Sequence, residues 1–170
     1  MSDRFEQLVL PHLDAAYNLA RWLVGSPADA EDVVQEAFLR ALRFFDAFRG
    51  GDSRAWLLKI VRNTTYSWVR KNRALQLSDE FDETVHSSET LMDNAEMQLL
   101  TQAESERVRK ALETLPLAFK EVLVLREIEG LSYKEISEVT GAAMGTVMSS
   151  LSRARQRLRD ALRAASGKEA

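Results

Sequence analysis

Between Leu131 and Leu162 the run LSYKEISEVTGAAMGTVMSSLSRARQRLRDAL leaves the backbone few choices. Ser132 followed three residues later by Glu135 has the spacing of a capping box, so a helix is predicted to start at Tyr133 and to bury Ile136 and Val139. Gly141 ends it, because glycine accepts the left-handed backbone that a tight turn through Ala143 needs. A second helix follows, in which Val147, Leu151, Ala154, Leu158 and Leu162 recur at three- and four-residue steps. With that stripe inward, Thr146, Ser149, Ser150, Ser152 and Arg153 face out at its N-terminal half. Arg153, Arg155, Arg157, Arg159 and Arg163 against Asp160 alone give a net +4 over eleven residues. Two short helices, a tight turn and a basic second helix make a helix-turn-helix, whose second helix enters the major groove while its cations meet phosphates. On a plain bundle the same arginines would be a solvated face. The order of capping box, turn glycine and basic helix favours the DNA-reading alternative.

The rest of the chain reads as helix too. Only three prolines and seven glycines occur in 170 residues, and 45% of the residues are apolar. That predicts an all-α chain of one or two domains with enough apolar surface for a core in each. No apolar run reaches membrane-spanning length, and the start MSDRFEQLVL lacks the basic end and apolar stretch of a signal peptide, so a cytoplasmic location is expected. The chain has no cysteine and two distant histidines, His12 and His86. No zinc site, thiol nucleophile or nucleophile–base pair can be assembled from them, so neither an enzyme nor a metal or cofactor is expected. The net charge of −3 is unevenly spread. Residues 1–75 carry 11 bases and 9 acids, residues 76–106 no base and 9 acids, and residues 107–170 12 bases and 8 acids. Two basic blocks are thus joined by an acidic one.

The first block divides into three helices. The first is predicted from Arg4 to Val24, with Phe5, Leu8, Leu13, Ala16, Leu19, Ala20 and Leu23 inward and Gly25 closing it. Ser26 as N-cap, Pro27 at the first helical position and Asp29 then start a second helix, which runs to about Phe45. DAFRGGD, residues 46–52, is a loop, and Ser53 is expected to cap a third helix to about Asn72. Periodicity fades from Leu75 to about Thr90, where acidic and small polar residues read as a flexible linker. Thr90 with Asp93 restarts a helix through Leu99, Ala103, Val108, Ala111 and Leu115, which Pro116 breaks, and another continues to Glu129. The resulting domains are 1–75 and 93–165, with a linker at 76–92 and a tail at 166–170.

The second and third helices carry the other useful surfaces. Val33, Val34, Ala37, Phe38, Ala41 and Phe45 point inward on the second, while Asp32, Gln35, Glu36, Leu39, Arg40 and Arg43 share the other side. An apolar anchor in a polar frame suits protein docking, and a merely solvated amphipathic helix fits the pattern equally. The third helix, SRAWLLKIVRNTTYSWVRKNR, interleaves six cations with Trp56, Tyr66, Trp68 and Asn63. Such a mixture suits unpaired nucleic acid, with bases on rings and phosphates on cations, although Trp56 and Ile60 are assigned inward. Phe48, Arg49 and two glycines before it could clasp an extruded base or form an ordinary turn.

AEDVVQEAFLRAL, the aromatic and glycine loop, WLLKIVRNTTYSWVRKNR, and LPLAFKEVLVLREIEGLSYKEISEVTG followed by GTVMSSLSRARQRL resemble, in order and spacing, regions two and four of bacterial extracytoplasmic-function (ECF) sigma factors. The resemblance spans nearly the whole chain. It implies a promoter-specificity subunit of RNA polymerase, in which region two opens the minus-10 element and region four reads the minus-35 element. By position, Asp32, Gln35, Glu36 and Leu39 match the residues that bind the clamp helices of the largest polymerase subunit, and region four implies contact with the flap of the second-largest subunit. Phe48, Arg49, Gly50, Gly51, Asp52 and Ser53 match the loop that captures a flipped base, and Arg62, Asn63, Tyr66 and Ser67 match further minus-10 contacts. Arg126 and Tyr133 match phosphate-contacting positions, and Thr146, Met148, Ser149, Ser152 and Arg153 the major-groove face. Relatives commonly carry lysine or arginine where this chain has Met148 and Ser150. The resemblance also implies a controlling anti-sigma factor, often membrane-bound. A dimeric regulator acting without polymerase is the main rival, but it leaves the third helix and its loop without a role.

Overall fold

The computed structural model describes the backbone of residues 3–78 and 102–169, and the side chains within 3–73 and 106–165. The expected linker at 76–92 and the helix restart at Thr90 lie almost wholly outside the described residues, although the third helix of the first block continues to Ser78. Eight α-helices and no strand are found among the described residues.

The first helix of the sequence reading is in fact two. Helix α1, Asp3–Val9, passes into a 3-10 turn at Leu10–His12 before α2, Leu13–Val24. Pro11 is the reason, because it lacks the N–H that an unbroken helix would bond to the preceding turn. The resulting change of register buries Val9 and leaves Leu13 42% exposed, against the expected inward placement of Leu13. Helix α3, Pro27–Arg43, starts as its residues dictate: the Ser26 hydroxyl accepts from the Asp29 N–H at 3.3 Å. It ends two residues earlier than expected, and Phe45 stays buried within a second 3-10 turn, Phe45–Ala47. Helix α4, Ser53–Ser78, is capped by Asp52 rather than Ser53, since Asp52 Oδ1 accepts from the Ala55 N–H at 3.0 Å. Ser53 already lies inside the helix, and its hydroxyl meets His12 Nε2 at 3.3 Å instead.

In the second half α5, Gln102–Glu113, is followed by α6, Leu117–Leu123, which widens into a π-helical turn over Val124–Ile128. Helices α7, Tyr133–Thr140, and α8, Met144–Glu169, form the helix-turn-helix. Both arms of the capping box are present: Glu135 N–H donates to Ser132 Oγ at 3.1 Å and Ser132 N–H to Glu135 Oε1 at 2.9 Å. Gly141 adopts φ 79°, the left-handed cap expected of it. Ile136, Val139, Val147, Leu151 and Ala154 are buried as the periodicity requires.

The buried residues of the two halves merge into one hydrophobic cluster, in which Leu57, Leu58 and Val61 of α4 join Leu123, Val124, Leu131 and Ile136. Helix α4 packs on α7, and α2 on α6, so the basic third helix of the first half lies against the second half.

Candidate nucleic-acid interface

Helix α8 presents the face that its sequence predicts. Thr146, Met148, Ser149, Ser152 and Arg153 are exposed, while Val147, Leu151 and Ala154 anchor the helix from the opposite side. Ser149 lies between its neighbours, donating to the Thr146 carbonyl at 3.2 Å and approached by Arg153 Nη2 at 3.5 Å. Met148 is 48% exposed and Met144, one turn earlier, 43%. The two thioethers form an apolar strip on the half of the helix that a helix-turn-helix inserts into the major groove.

The positions matched to phosphate contacts are more occupied. Arg126 Nη1 donates to the Leu131 carbonyl at 2.8 Å, and its guanidinium lies 4.6 Å from the centre of the Tyr133 ring. The pair therefore ties the π-turn to the start of α7. Arg155 is held in a two-pronged bond by Glu127 Oε2, at 2.9 and 2.7 Å, which holds it above the ordinary arginine range.

On α3, Asp32, Gln35, Glu36 and Leu39 lie together on the solvent side. Leu39, 64% exposed, is the most exposed large apolar side chain among the described residues. Arg40 turns back to Glu36 at 2.8 Å and to Thr64 at 3.3 Å, so it braces α3 on α4.

The region matched to minus-10 contacts divides into three. Phe48 is 7% exposed, its ring 5.9 Å from that of Phe45 and 5.1 Å from that of Trp56. In this arrangement the ring belongs to the core and does not face a base, because the apolar ring is better placed among Phe5, Phe45 and Trp56 than in water. Arg49, Gly50, Gly51 and Asp52 are exposed, and the two glycines adopt φ 95° and 92°, which brings bare backbone to the surface.

Along α4, Asn63 is exposed and Ser67 half-buried, but Arg62 and Tyr66 are engaged by the second half. Arg62 Nε donates to Glu121 Oε2 at 2.6 Å and the Tyr66 hydroxyl to Glu121 Oε1 at 2.9 Å. Burial pushes Glu121 and Tyr66 up from their ordinary ranges. Burial alone would lower Arg62, and pairing with Glu121 more than offsets it. Arginine keeps its proton, so the arrangement is a buried ion pair with a phenol as second donor. Arg54 adds contacts to the Glu129 carbonyl at 3.4 Å and to Glu135 at 3.8 Å. Lys120 reaches the Leu23 carbonyl at 3.5 Å, and burial lowers its ammonium.

Glu121 was absent from the sequence reading. Its signal was nonetheless there: with Leu117, Val124 and Leu125 at helical steps around it, Glu121 occupies an apolar face, where an acid needs a partner. Among the described residues no group of histidine and acidic side chains could hold a metal, and no helix is long and apolar enough to cross a membrane.

Residues 8–75 match the family described as Sigma-70 region 2, and residues 105–158 that described as Sigma-70, region 4. The ECF RNA polymerase sigma factor SigE of Mycolicibacterium smegmatis is 35% identical over 93% of this chain and 61% of its own length. The chain thus spans less than two thirds of that relative. The ECF RNA polymerase sigma-E factor of Escherichia coli is 33% identical over 89% of this chain and 83% of its own length. Among solved structures, the sigma factor RpoE bound to the anti-sigma factor NepR from Bartonella quintana aligns with a TM-score of 0.76 at 33% identity, over 95% of this chain and 98% of that one. CnrH bound to the cytosolic domain of CnrY aligns with a TM-score of 0.67 at 32% identity, over 96% of this chain and 90% of that one. Two matched regions and these relatives identify the kind of protein: the chain belongs to the extracytoplasmic-function family of RNA polymerase sigma factors, which are transcription initiation factors and not enzymes.

Proposed function

We propose that this chain binds core RNA polymerase and directs it to promoters, where it reads the minus-35 element with α8 and opens the minus-10 element with α4 and the loop before it. The observation that carries the reading is the outer face of α3, where Leu39 stands 64% exposed within the polar frame of Asp32, Gln35 and Glu36. An apolar anchor with a polar rim is the composition of a docking surface, here for the clamp helices of the largest polymerase subunit. A dimeric regulator leaves α4 and the loop before it without a role. Two modest DNA-binding units on one chain gain through effective concentration once a scaffold holds both at the right span. The exposed residues Arg49, Asp52 and Asn63 are the minus-10 contacts, while Arg62 and Tyr66 join them when Glu121 is displaced. Thr146, Met148, Ser149, Ser152 and Arg153 read the minus-35 element, and the flap of the second-largest subunit supports that domain. The anti-sigma factor bound to the solved RpoE, and the cytosolic CnrY domain bound to CnrH, support an anti-sigma protein as the controller of this chain, acting in the cytoplasm.

Purified chain mixed with core polymerase is expected to start transcription from a cognate promoter. Replacing Asp32 and Gln35 together by alanine is expected to weaken core binding while circular dichroism and thermal unfolding stay unchanged. Undiminished affinity for core removes α3 as the docking face. Tight, sequence-specific binding to duplex DNA by the chain alone would instead support a polymerase-independent regulator.

A further inference from the structure

The reading half of α8 carries the only methionines among the described residues, Met144 and Met148. They stand one helical turn apart and are 43% and 48% exposed. Val147 and Leu151 turn inward between and after them, so the helix is anchored by aliphatic side chains and neither sulfur is needed in the core. Four residues advance a helix by about 6 Å, close to two base steps of about 3.4 Å, so both thioethers can reach base edges in one groove. An exposed thioether is also open to oxidation. The chain contains no cysteine to intercept an oxidant first, and Gly145, Thr146 and Ser149 around the pair offer no oxidisable group.

We propose that Met144 and Met148 are an oxidisable pair through which a two-electron oxidant, hypochlorous acid, switches off minus-35 reading by α8. The inference rests on the reading of α8 as the minus-35 helix. In each reaction the thioether sulfur gives a lone pair to the oxygen of hypochlorous acid, so an S–O bond forms as the O–Cl bond breaks and chloride leaves with its electron pair. The hydroxyl proton passes to water. Sulfur is thereby oxidised by two electrons and the oxidant reduced to chloride. A sulfoxide is polar and must be stripped of water to enter the groove, where it loses the apolar contact with a thymine methyl. Its oxygen also meets the acceptors that purines and thymine present there, N7, O6 and O4. Two lost contacts, each worth roughly fourfold, lower affinity roughly tenfold or more. Docking through α3 is untouched, because Leu39 and its polar frame contain no thioether. A methionine sulfoxide reductase removes the oxygen as water, while two thiols are oxidised to a disulfide, and the helix is restored.

The full-length chain is treated with hypochlorous acid, quenched and then mixed with untreated core polymerase, so that only the chain is oxidised. Peptide mass spectrometry reads the added oxygen at each methionine. Affinity is measured on a promoter selected from random sequence with untreated holoenzyme, and on a copy whose upstream element is scrambled. Sulfoxide at Met144 and Met148 is expected to weaken binding to the intact promoter roughly tenfold and to leave core binding unchanged. Methionine sulfoxide reductase is expected to restore the affinity, an arm that needs no variant and that damage to tryptophan or tyrosine would fail. Met144→Leu combined with Met148→Leu keeps the apolar volume without the sulfur, and is expected to bind equally before and after treatment. Complete oxidation with unmoved affinity overturns the inference, as does an equal loss in the leucine variant or a loss that the reductase leaves in place. The underlying reading fails by a separate result: untreated holoenzyme that binds both promoters equally does not read the minus-35 element, and the inference falls with it.

Discussion

Replacing Phe48 by alanine and by leucine decides whether its ring serves the protein or the DNA. The residue lies at the position matched to a base-capturing loop, yet its ring is buried between Phe45 and Trp56 at centroid distances of 5.9 and 5.1 Å. Truncating a core phenylalanine to alanine costs about 3–5 kcal/mol. Leucine keeps most of the apolar volume and loses two ring contacts, each worth about 0.5–1.5 kcal/mol, for a total of about 1–3 kcal/mol. For a domain of this size about 4–8 °C of melting temperature accompanies each kcal/mol. Phe48→Ala is therefore expected to lower the melting temperature by roughly 12 °C or more, and Phe48→Leu by roughly 4 °C or more. Thermal unfolding by circular dichroism reads this, and permanganate reactivity of promoter thymines with core polymerase reads strand opening in parallel. With the ring in the core, Phe48→Leu opens the promoter normally at a temperature where it is folded. If Phe48→Leu instead melts like the parent chain while opening is abolished, the ring acts on the DNA and its assignment to the core is wrong.

Ser132→Ala removes one arm of the capping box and is expected to cost about 1 kcal/mol in urea unfolding. No effect would mean that water replaces the hydroxyl. Gly141→Ala meets no atom within 4 Å of the added Cβ, so its expected cost of about 1–2 kcal/mol is the left-handed backbone alone, and a loss well beyond that range would reveal a clash. Burial, aided by Arg54 and opposed by Asp52, holds His12 below its ordinary 6.5. A depressed histidine favours the neutral form in the folded state, so its contribution is complete above about pH 6.5 and is lost as the pH falls below it. Urea midpoints are accordingly expected to drop more on acidification for the parent chain than for His12→Gln, and equal drops would exclude the residue. At the minus-35 element, replacing a thymine that Met148 touches by uracil is expected to weaken holoenzyme binding roughly fourfold, the worth of one methyl group, and to leave Met148→Ala unaffected. Equal losses in both proteins would take Met148 off the methyl.

The helix-turn-helix was legible in the residues because its signals are local. Ser132, Glu135 and Gly141 specify where α7 begins and ends through bonds and backbone angles within a few residues, and the spacing of Val147, Leu151 and Ala154 says which side of α8 is buried. The outer face of α3 was legible for the same reason, since periodicity separates Asp32, Gln35 and Leu39 from Val33, Val34 and Ala37. Where local signals competed, the reading slipped by a residue or two. Ser53 and Asp52 are both good caps, and only Asp52 stands three residues before an N–H it can reach. Pro11 split a helix that an apolar stripe alone would have kept whole. Whether a ring faces the core or a ligand was beyond periodicity, because Phe48 sits in a loop with no period to read, and only the neighbouring Phe45 and Trp56 decide its place.

The sequence by itself determined most of the helices, most of their inward residues and the family. The tertiary structure alone decided how the halves meet, for a physical reason: the partners lie far apart in the chain. Arg62 and Glu121 are 59 residues apart, and Arg54 and Glu135 lie on helices from different halves. Nothing within a helical turn of Arg62 distinguishes a cation waiting for DNA from one already paired with a carboxylate. Only the three-dimensional packing of α4 on the second half makes that distinction, and it shows a basic helix that its own chain covers in part.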